Sequence, residues 1–397
     1  MSSLPFRRIF IFSSIILTWN RRVVHGFSLG AIGFRRSEKQ SISSLAARRT
    51  TLVTCSTTEE TISAVKHFVR PGSSVVEIGA SLKGVSSAIC ESLQDEGKAI
   101  MIDVPRKAPK NTSQEGRIKE MRSPGDEDEF FPEISEFREI SCLEKWKKTV
   151  LGYSENFDVL VLDVNSIVGN DLEMTSLSIA IDFSEIFQCR VVVIKSAALN
   201  LWAGRLVHAQ KWIDAKEKGD SSGILDFAPP HVIGTVGVEE YRKVIPSVVK
   251  EGDSILEVGC HFGTSTSILS EAVGVHGYAM GVDVGPKIIQ GAKQKYPHIP
   301  FYIGDAWKVA ELLRHQKAYI ENRNEDTNKM TARKVGFDCI FVDVGGISGG
   351  DGLLEAMMPV ATLLNGLEPR TLVIKSQCMR RLSSRLTPYW HIRKKMR

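Results

Sequence analysis

Short runs of apolar, often β-branched residues alternate with amphipathic segments along most of this chain. Segments rich in Ala, Lys and Glu lie between the runs, as at 285–296 and 307–319. The alternation predicts buried strands separated by helices, which is typical of a parallel, doubly wound α/β sheet. The predicted strands are 74–78, 99–104, 158–163, 190–195, 254–258, 278–283, 338–343 and 371–375.

The pattern occurs twice, at a spacing of 180 residues. The run 75–79 recurs at 255–259, and the run 193–196 recurs at 373–376. Several further pairs keep the same offset in the same order, so the sequence predicts a tandem duplication of two α/β domains. The predicted divisions are a leader at 1–55, a first domain at 56–225 and a second domain at 226–397.

Two polar segments interrupt the predicted domains. Residues 105–135 are rich in Lys, Ser, Gly, Asp and Pro, which disfavours burial and predicts an exposed insertion. A similar polar segment at 321–333 interrupts the second copy.

Composition adds little about partners. With 397 residues and 43% hydrophobic side chains, the chain can bury two ordinary cores. The formal net charge of +5 is concentrated at the start, because residues 1–55 hold nine Lys/Arg and one acid, Glu38. The seven cysteines form no CxxC pair and no Cys/His ligand spacing, so we expect free thiols and neither zinc nor disulfides.

The first 55 residues have the features of a targeting leader. The apolar run at 9–19 is too short for a membrane span, which needs about 20 residues, and suits a signal-peptide core. A basic, serine-rich stretch follows the step from Gly26 to Phe27. This order resembles the bipartite leader of algae with complex plastids, which implies a plastid location and a mature protein outside the membrane. A mitochondrial presequence and a plain secretory signal are the alternatives.

The second copy carries a group of acids that suits a nucleotide-like cofactor. Glu257, Gly259 and Gly263 lie in a turn between a predicted strand and a helix, where glycine allows close approach of the backbone to a ligand. Asp283 ends the next strand and can accept hydrogen bonds from ribose hydroxyls, and Asp305 ends the third. Acids at the carboxyl ends of three successive strands converge on one crevice.

These residues resemble motifs I to III of class I S-adenosylmethionine-dependent methyltransferases. The resemblance covers about 57–397 in two copies and implies Rossmann-like domains with S-adenosylmethionine as the cofactor. It implies that Glu257 lies near the methionine amino group, Asp283 on the ribose and Asp305 on the adenine. His261 stands where that family usually has a further glycine. Nicotinamide binding is disfavoured, since neither copy has G-x-G-x-x-G, and glycines that only shape a turn are the remaining alternative.

The first copy keeps part of this pattern. Glu77, Gly79 and Asp103 occupy the corresponding cofactor positions. The turn beginning at Glu77 resembles that of FtsJ-type ribose 2′-O-methyltransferases, with Lys83 in place of a glycine, and Ser141 stands at the adenine position. We therefore expect a weakened site and a mainly structural first half.

Candidate catalytic residues lie at the ends of the fourth and fifth strands. These are Asp343 and Lys375 in the second copy, with Asp163 and Lys195 in the first. Methyl transfer to a hydroxyl needs positioning and a base. An Asp and a Lys at these ends are similar to part of the Lys-Asp-Lys-Glu set of FtsJ-type enzymes, with Lys243 as a candidate upstream lysine and no final Glu after Lys375.

Two alternatives remain for Asp343. It could cap the glycine-rich turn that follows while Lys375 pairs with it. It could also be a metal ligand as in catechol-type O-methyltransferases, although one carboxylate is too few for a magnesium site, so no metal is predicted.

The C-terminal tail 379–397 has seven Lys/Arg, no acid, and the aromatic pair Tyr389 and Trp390. It suits single-stranded RNA through phosphate neutralisation and stacking, while a solvated basic end is the alternative. Little chain follows Lys375, so the sheet edge is either abbreviated or completed elsewhere.

The sequence predicts an organellar S-adenosylmethionine-dependent O-methyltransferase acting on RNA or a small-molecule acceptor. The alternative is a catalytically silent module that binds cofactor or RNA as a scaffold.

Overall fold

The computed structural model describes the chain from residue 50 onward, with gaps. The described residues are 50–79, 83–94, 96–102, 118–121, 157–168, 172–220, 228–327, 335–345 and 353–395. They form two seven-stranded sheets with helices between the strands, and all pairs except one are parallel. The predicted class, two doubly wound α/β sheets with mainly parallel strands, is confirmed. Nearly all of the predicted leader lies outside the described residues.

The first half contributes seven strands and six helices to the described fold. In chain order they are β1 Thr51–Cys55, α1 Thr58–Phe68, β2 Ser74–Ile78, α2 Lys83–Leu93, β3 Lys98–Ile102, β4 Ile118–Met121, β5 Val159–Asp163, α3 Val164–Val168, α4 Glu173–Phe187, β6 Val191–Lys195, α5 Ala197–Arg205, β7 Leu206–His208 and α6 Ala209–Lys218.

The second half contributes seven strands and eight helices to the described fold. They are β8 His231–Thr235, α7 Gly237–Lys243, α8 Ile245–Val248, β9 Ser254–Val258, α9 Thr264–Val273, β10 Tyr278–Asp283, α10 Pro286–Lys295, β11 Phe301–Ile303, α11 Val309–Thr327, β12 Cys339–Val342, α12 Leu353–Leu367, β13 Thr371–Lys375, α13 Gln377–Arg385, β14 Leu386–Pro388 and α14 Tyr389–Lys395. All eight strands predicted from the hydrophobic pattern are present, with ends within two residues of the prediction.

Each half gives its last short strand to the sheet of the other half. The first sheet has the order β14-β1-β6-β5-β2-β3-β4, and the second has the order β11-β10-β9-β12-β13-β8-β7. Leu386 of β14 lies opposite Leu52 of β1, and Leu206 of β7 lies opposite Val232 of β8. The edge that looked abbreviated after Lys375 is therefore completed by β8 and, beyond it, by a strand of the first half.

This exchange corrects the predicted division of the chain. Residues 51–55, assigned to the leader from the sequence, form β1, a largely buried strand between β6 and β14. The predicted domains 56–225 and 226–397 do not correspond to the two sheets, because each supplies a strand to the other. The reason is that β7 and β14, which follow α5 and α13, pair with the strand that begins the other half.

The cores of the two halves are continuous. One cluster of buried apolar side chains contains residues of both sheets, among them Leu160 of β5 and Ile340 of β12, and it includes residues of α4 and α12. Separate clusters cover the other faces, with Val75 in the first sheet and Ile255 in the second. Side chains alternate across a strand, so each sheet packs on both faces.

Both predicted polar segments differ in part from expectation. Within the predicted exposed insertion at 105–135, Ile118–Met121 forms β4, which pairs antiparallel with β3 at the sheet edge. The described residues otherwise exclude this insertion. Helix α11 continues through Thr327 into the polar segment at 321–333, because Glu and Arg favour helix and Asn is tolerated in one.

Across the described ranges, no helix combines the length and apolar character that a bilayer span requires. Six of the cysteines fall in these ranges and are free thiols. Five of them are buried: Cys55, Cys189, Cys260, Cys339 and Cys378.

Candidate functional site

A cleft of about 660 Å³ opens at the carboxyl end of the second sheet. It lies where β9 pairs with β10 on one side and with β12 on the other, which is the switch point where ligands bind in open α/β sheets. Six of the residues predicted from the sequence line it together: Glu257, Gly259, Asp283, Asp305, Asp343 and Lys375.

The turn after β9 depends on two glycines. Gly259 has φ +78°, and a Cβ there would overlap the carbonyl oxygen of Asp343. Gly263 also has φ +78°, and a Cβ there would lie 2.5 Å from the ring of Phe301. Gly263 is buried against that ring and does not line the cleft, so its absent side chain serves the packing of the turn rather than the approach of a ligand.

Replacing Gly259 by alanine should destabilise the protein by at least about 2 kcal/mol, since the left-handed backbone and the overlap with Asp343 both oppose a side chain. Urea unfolding measures this change. Gly345→Ala is the matched control at the same cleft, because nothing lies within 4 Å of a Cβ there. Equal stability of the two variants would contradict the close approach.

Asp283 holds the turn as well as facing the cleft. Its Oδ2 accepts a hydrogen bond from the His261 backbone N–H at 3.2 Å, and its Oδ1 accepts one from the Gly285 N–H at 3.0 Å. His261 has φ +48°, so this residue takes the left-handed conformation that glycine would otherwise supply. A carboxylate has about four lone-pair sites, which leaves acceptor capacity on Asp283 for a ligand.

The rim beside Asp305 is apolar. Asp305 Oδ1 accepts the backbone N–H of Trp307 at 3.1 Å. Trp307 and Val284, both lining the cleft, are 48% and 70% exposed, which is high for large apolar side chains. They provide a surface for a flat apolar group between the two acids.

Glu257 lies at the floor of the cleft, with only 1% of its surface exposed. Tyr241 Oη donates to its Oε1 at 3.2 Å, and Thr266 Oγ1 donates to its Oε2 at 2.5 Å. Burial raises the pKa of the Glu257 carboxyl to about 8, although these two hydrogen bonds act in the opposite direction. A carboxyl in this position is largely protonated at neutral pH while the cleft holds no cation.

Asp343 and Lys375 form an ion pair between the ends of β12 and β13. Their side chains are 22% and 17% exposed, so the pair lies at the cleft wall and not in bulk solvent. One alternative for Asp343 was that it caps the following turn while Lys375 pairs with it. The ion pair is present, but residues 346–350 of that turn lie outside the described residues. In the described ranges, no group of three His, Cys, Asp or Glu could hold a metal ion.

The first half places four of its candidates at the corresponding strand ends. Ser86 Oγ donates to Glu77 Oε2 at 2.7 Å, and Gly79 has φ +85° and packs close to Asp163. Lys195 Nζ lies 3.3 Å from Asp163 Oδ2.

The structure does not describe the side chains of three other residues singled out in the first half. Asp103 and Ser141 lie outside the described residues. Lys83 begins α2, and its side chain is not described.

The basic tail is folded and only partly solvated. Tyr389 is 5% exposed, and its hydroxyl donates to the Ser63 carbonyl at 2.9 Å, so it cannot stack on a base as the sequence suggested. The pairing of β14 with β1 places Tyr389 against α1. Arg380 forms a bidentate pair with Glu240, at 3.0 Å for Nη2. Among the tail residues whose burial is described, the exposed cations are Arg381, Arg385, Arg393 and Lys394.

Two residues at or beneath the cleft escaped sequence reasoning. Tyr241 and Arg242 lie on α7, which follows β8, a strand that the sequence reading did not include. Arg242 Nε donates to Ser265 Oγ at 3.0 Å beside the start of α9. The signal was available, because the run 231–235 is short, apolar and 180 positions after 51–55.

No protein-family model matches this chain, and no curated protein matches it. Solved structures are similar to part of it. A sugar N-methyltransferase from Streptoalloteichus is 21% identical, with a TM-score of 0.24, over 35% of this chain and 46% of its own.

Two further neighbours have bound S-adenosylmethionine. An amino pentose methyltransferase from Micromonospora echinaspora is 16% identical, with a TM-score of 0.24, over 35% of this chain and 48% of its own. Fibrillarin from Aeropyrum pernix is 18% identical, with a TM-score of 0.19, over 30% of this chain and 58% of its own. The chain thus spans about half the length of the neighbours it matches.

Proposed function

We propose that the second-half cleft binds S-adenosylmethionine and that the protein transfers its methyl group to an oxygen of an acceptor. The observation that carries this proposal is one cleft in which Glu257, Asp283 and Asp305 end successive strands beside the Asp343–Lys375 pair. The chemistry of the cleft residues supports the proposal. A cofactor with a ribose, an adenine and an amino acid part needs hydrogen-bond acceptors, an apolar surface and a cation, and the cleft contains all three.

The cleft residues divide among the parts of the cofactor. Asp283 would accept from the ribose hydroxyls through its remaining lone pairs, and Asp305 from the adenine amino group. Trp307 and Val284 would cover the flat base. Arg242, beside the start of α9, would hold the carboxylate of the amino acid part, because a guanidinium and helix N–H groups both favour an anion.

When bound, the cofactor supplies an electrophilic methyl group on a sulfonium. The acceptor hydroxyl must then lose its proton as it attacks. Lys375 and Asp343 would assist this step. Asp343 orients the Lys375 ammonium, which helps the hydroxyl lose its proton by stabilising the negative charge that develops on the oxygen, and the Asp343 carboxylate accepts that proton. Positioning by the cleft wall supplies the rest of the rate.

We propose RNA ahead of a small molecule as the acceptor. The support is the group of exposed cations on α13 and α14, which suits a phosphate backbone. The alternative, a silent module that binds cofactor or RNA without transfer, is favoured by one observation. The Lys375 amine is already held by Asp343, and the described part of the chain after it supplies no further carboxylate.

We further propose that the chain arose by duplication of one domain and that it works in a plastid, with the mitochondrion as the second choice. The duplication is supported by the offset of 180 residues in sequence and in strand pairing. The location is supported by the sequence of residues 1–55.

Asp283→Ala should weaken S-adenosylmethionine binding by more than about 1.5 kcal/mol, because it removes a charge-assisted hydrogen bond. Isothermal titration of the whole protein measures this. Asp214→Ala, on α6 and away from the cleft, is the control and should leave affinity unchanged. Thermal unfolding of both variants separates lost contacts from a lost turn. Equal affinity of Asp283→Ala and the unmutated protein would exclude the assignment.

A further inference from the structure

The carboxyl of Glu257 is unusual in having partners that suit both of its protonation states. Tyr241 and Thr266 contact its two oxygens through hydroxyl groups, which can donate or accept. When the carboxyl is ionised, both hydroxyls donate to it. When it is neutral, its own proton can be donated to the oxygen of Tyr241. Both carboxyl oxygens therefore keep a hydroxyl partner in either state, so the proton can leave without a rearrangement of the fold.

Charges around Glu257 are nearly balanced until a ligand arrives. Tyr241 and Arg242 approach from α7, Cys260 from the turn, and Asp343 from the end of β12. Arg242 favours the ionised carboxyl and Asp343 opposes it, while Lys375 neutralises much of Asp343. Burial is therefore the largest influence on the pKa of Glu257, and it favours the protonated carboxyl.

We propose that Glu257 is a proton-linked receptor for a cation: it is neutral in the empty cleft, and it releases its proton to solvent when a positively charged ligand group binds there. Tyr241 is the positioning residue: its hydrogen bond holds the Glu257 carboxyl in place at the floor of the cleft. This inference rests on the proposed cofactor, whose sulfonium and ammonium groups are the two cations that could drive the release. The charge of the site is conserved, because one proton is released for each positive charge that binds.

The first half contains an internal comparison. Glu77 corresponds to Glu257, and Ser86 corresponds to Thr266 at the same hydrogen-bonding place. The residue that corresponds to Tyr241 is Thr61, whose hydroxyl donates to the Thr57 carbonyl. The tyrosine is therefore specific to the second half, and Glu77→Gln is a matched control for Glu257→Gln.

The test counts protons released on binding, by calorimetry of the whole protein in two buffers of different ionisation enthalpy. S-adenosylmethionine should release close to one proton at about pH 6.5, where the carboxyl is protonated and the ligand's α-amino group, with an ordinary pKa of about 8, is already charged. At about pH 9.5 the carboxyl is already ionised, so no proton is released from it. Glu257→Gln should abolish the release, and Glu77→Gln should keep it. Tyr241→Phe should move the release to higher pH, because the ionised carboxyl loses a donor.

The arms of the test separate the two cations and the two proposals. S-adenosylhomocysteine keeps the ammonium but lacks the sulfonium, so release by both ligands assigns the ammonium and release by S-adenosylmethionine alone assigns the sulfonium. Binding without proton release, or release that survives Glu257→Gln, overturns this inference and leaves the cofactor assignment standing. Failure to bind at either pH overturns both.

A second measurement needs no ligand. The folded protein keeps a proton that the unfolded chain loses near pH 4.5, so this group's contribution is complete below that pH and is lost as the pH rises toward about 8. Urea unfolding should show that fall for the unmutated protein, and Glu257→Gln should lack it. The same pH dependence in both proteins would overturn the inference.

Discussion

Lys375→Ala is expected to lower methyl transfer by about 10²- to 10⁴-fold, the range over which a positioned proton-transfer group acts. Asp343→Ala should have an effect of similar size, because the Lys375 amine loses the ion pair that orients it. Transfer of labelled methyl from S-adenosylmethionine into organellar RNA and into metabolite extracts measures the rate and identifies the acceptor class.

The corresponding pair in the first half is the control. Asp163→Ala and Lys195→Ala change the same residue types at the same strand ends and should leave most of the activity. If the unmutated protein binds S-adenosylmethionine but transfers no methyl group, the result would favour the silent module. Loss of activity in the first-half variants alone would place the reaction in the half that we consider structural.

Separating the two halves is expected to abolish folding of residues 226–397 as an independent unit. This fragment keeps β14 but lacks β1, the strand that β14 pairs with, and its β8 loses β7. It also exposes its part of the apolar cluster that contains residues of both sheets. We expect no cooperative urea transition and no cofactor binding, because the lost burial exceeds the margin of a typical domain.

Co-expression of residues 50–225 with residues 226–397 is the control for this prediction. If the exchanged strands hold the halves together, the two fragments should purify as a complex that binds cofactor. Cooperative unfolding of the isolated second fragment, with intact binding, would show that the exchanged strands are dispensable.

The hydrophobic pattern was enough to predict the longer strands. Runs such as 254–258 and 371–375 are apolar and β-branched because both faces of a parallel strand are buried, so their ends are marked sharply in the sequence. The acids at the strand ends followed directly, since the carboxyl ends of parallel strands meet at one edge of the sheet.

The exchange of β7 and β14 could not be predicted in this way. Each has three residues, too few for a periodic pattern, and each pairs with a strand far away in the sequence. The burial of Tyr389 follows from that pairing and was missed for the same reason. Tyr241 was missed because its contact with Glu257 depends on how α7 packs against β9, which a local pattern does not encode.

The number of S-adenosylmethionine molecules bound per chain tests the central claim most directly. Equilibrium dialysis of the whole protein with labelled cofactor gives this number. Our account predicts one, held by the second-half cleft, because the first half has Ser141 at the adenine position and Lys83 in place of a turn glycine. No binding would contradict the cofactor assignment, and two molecules per chain would contradict the division between a binding half and a structural half.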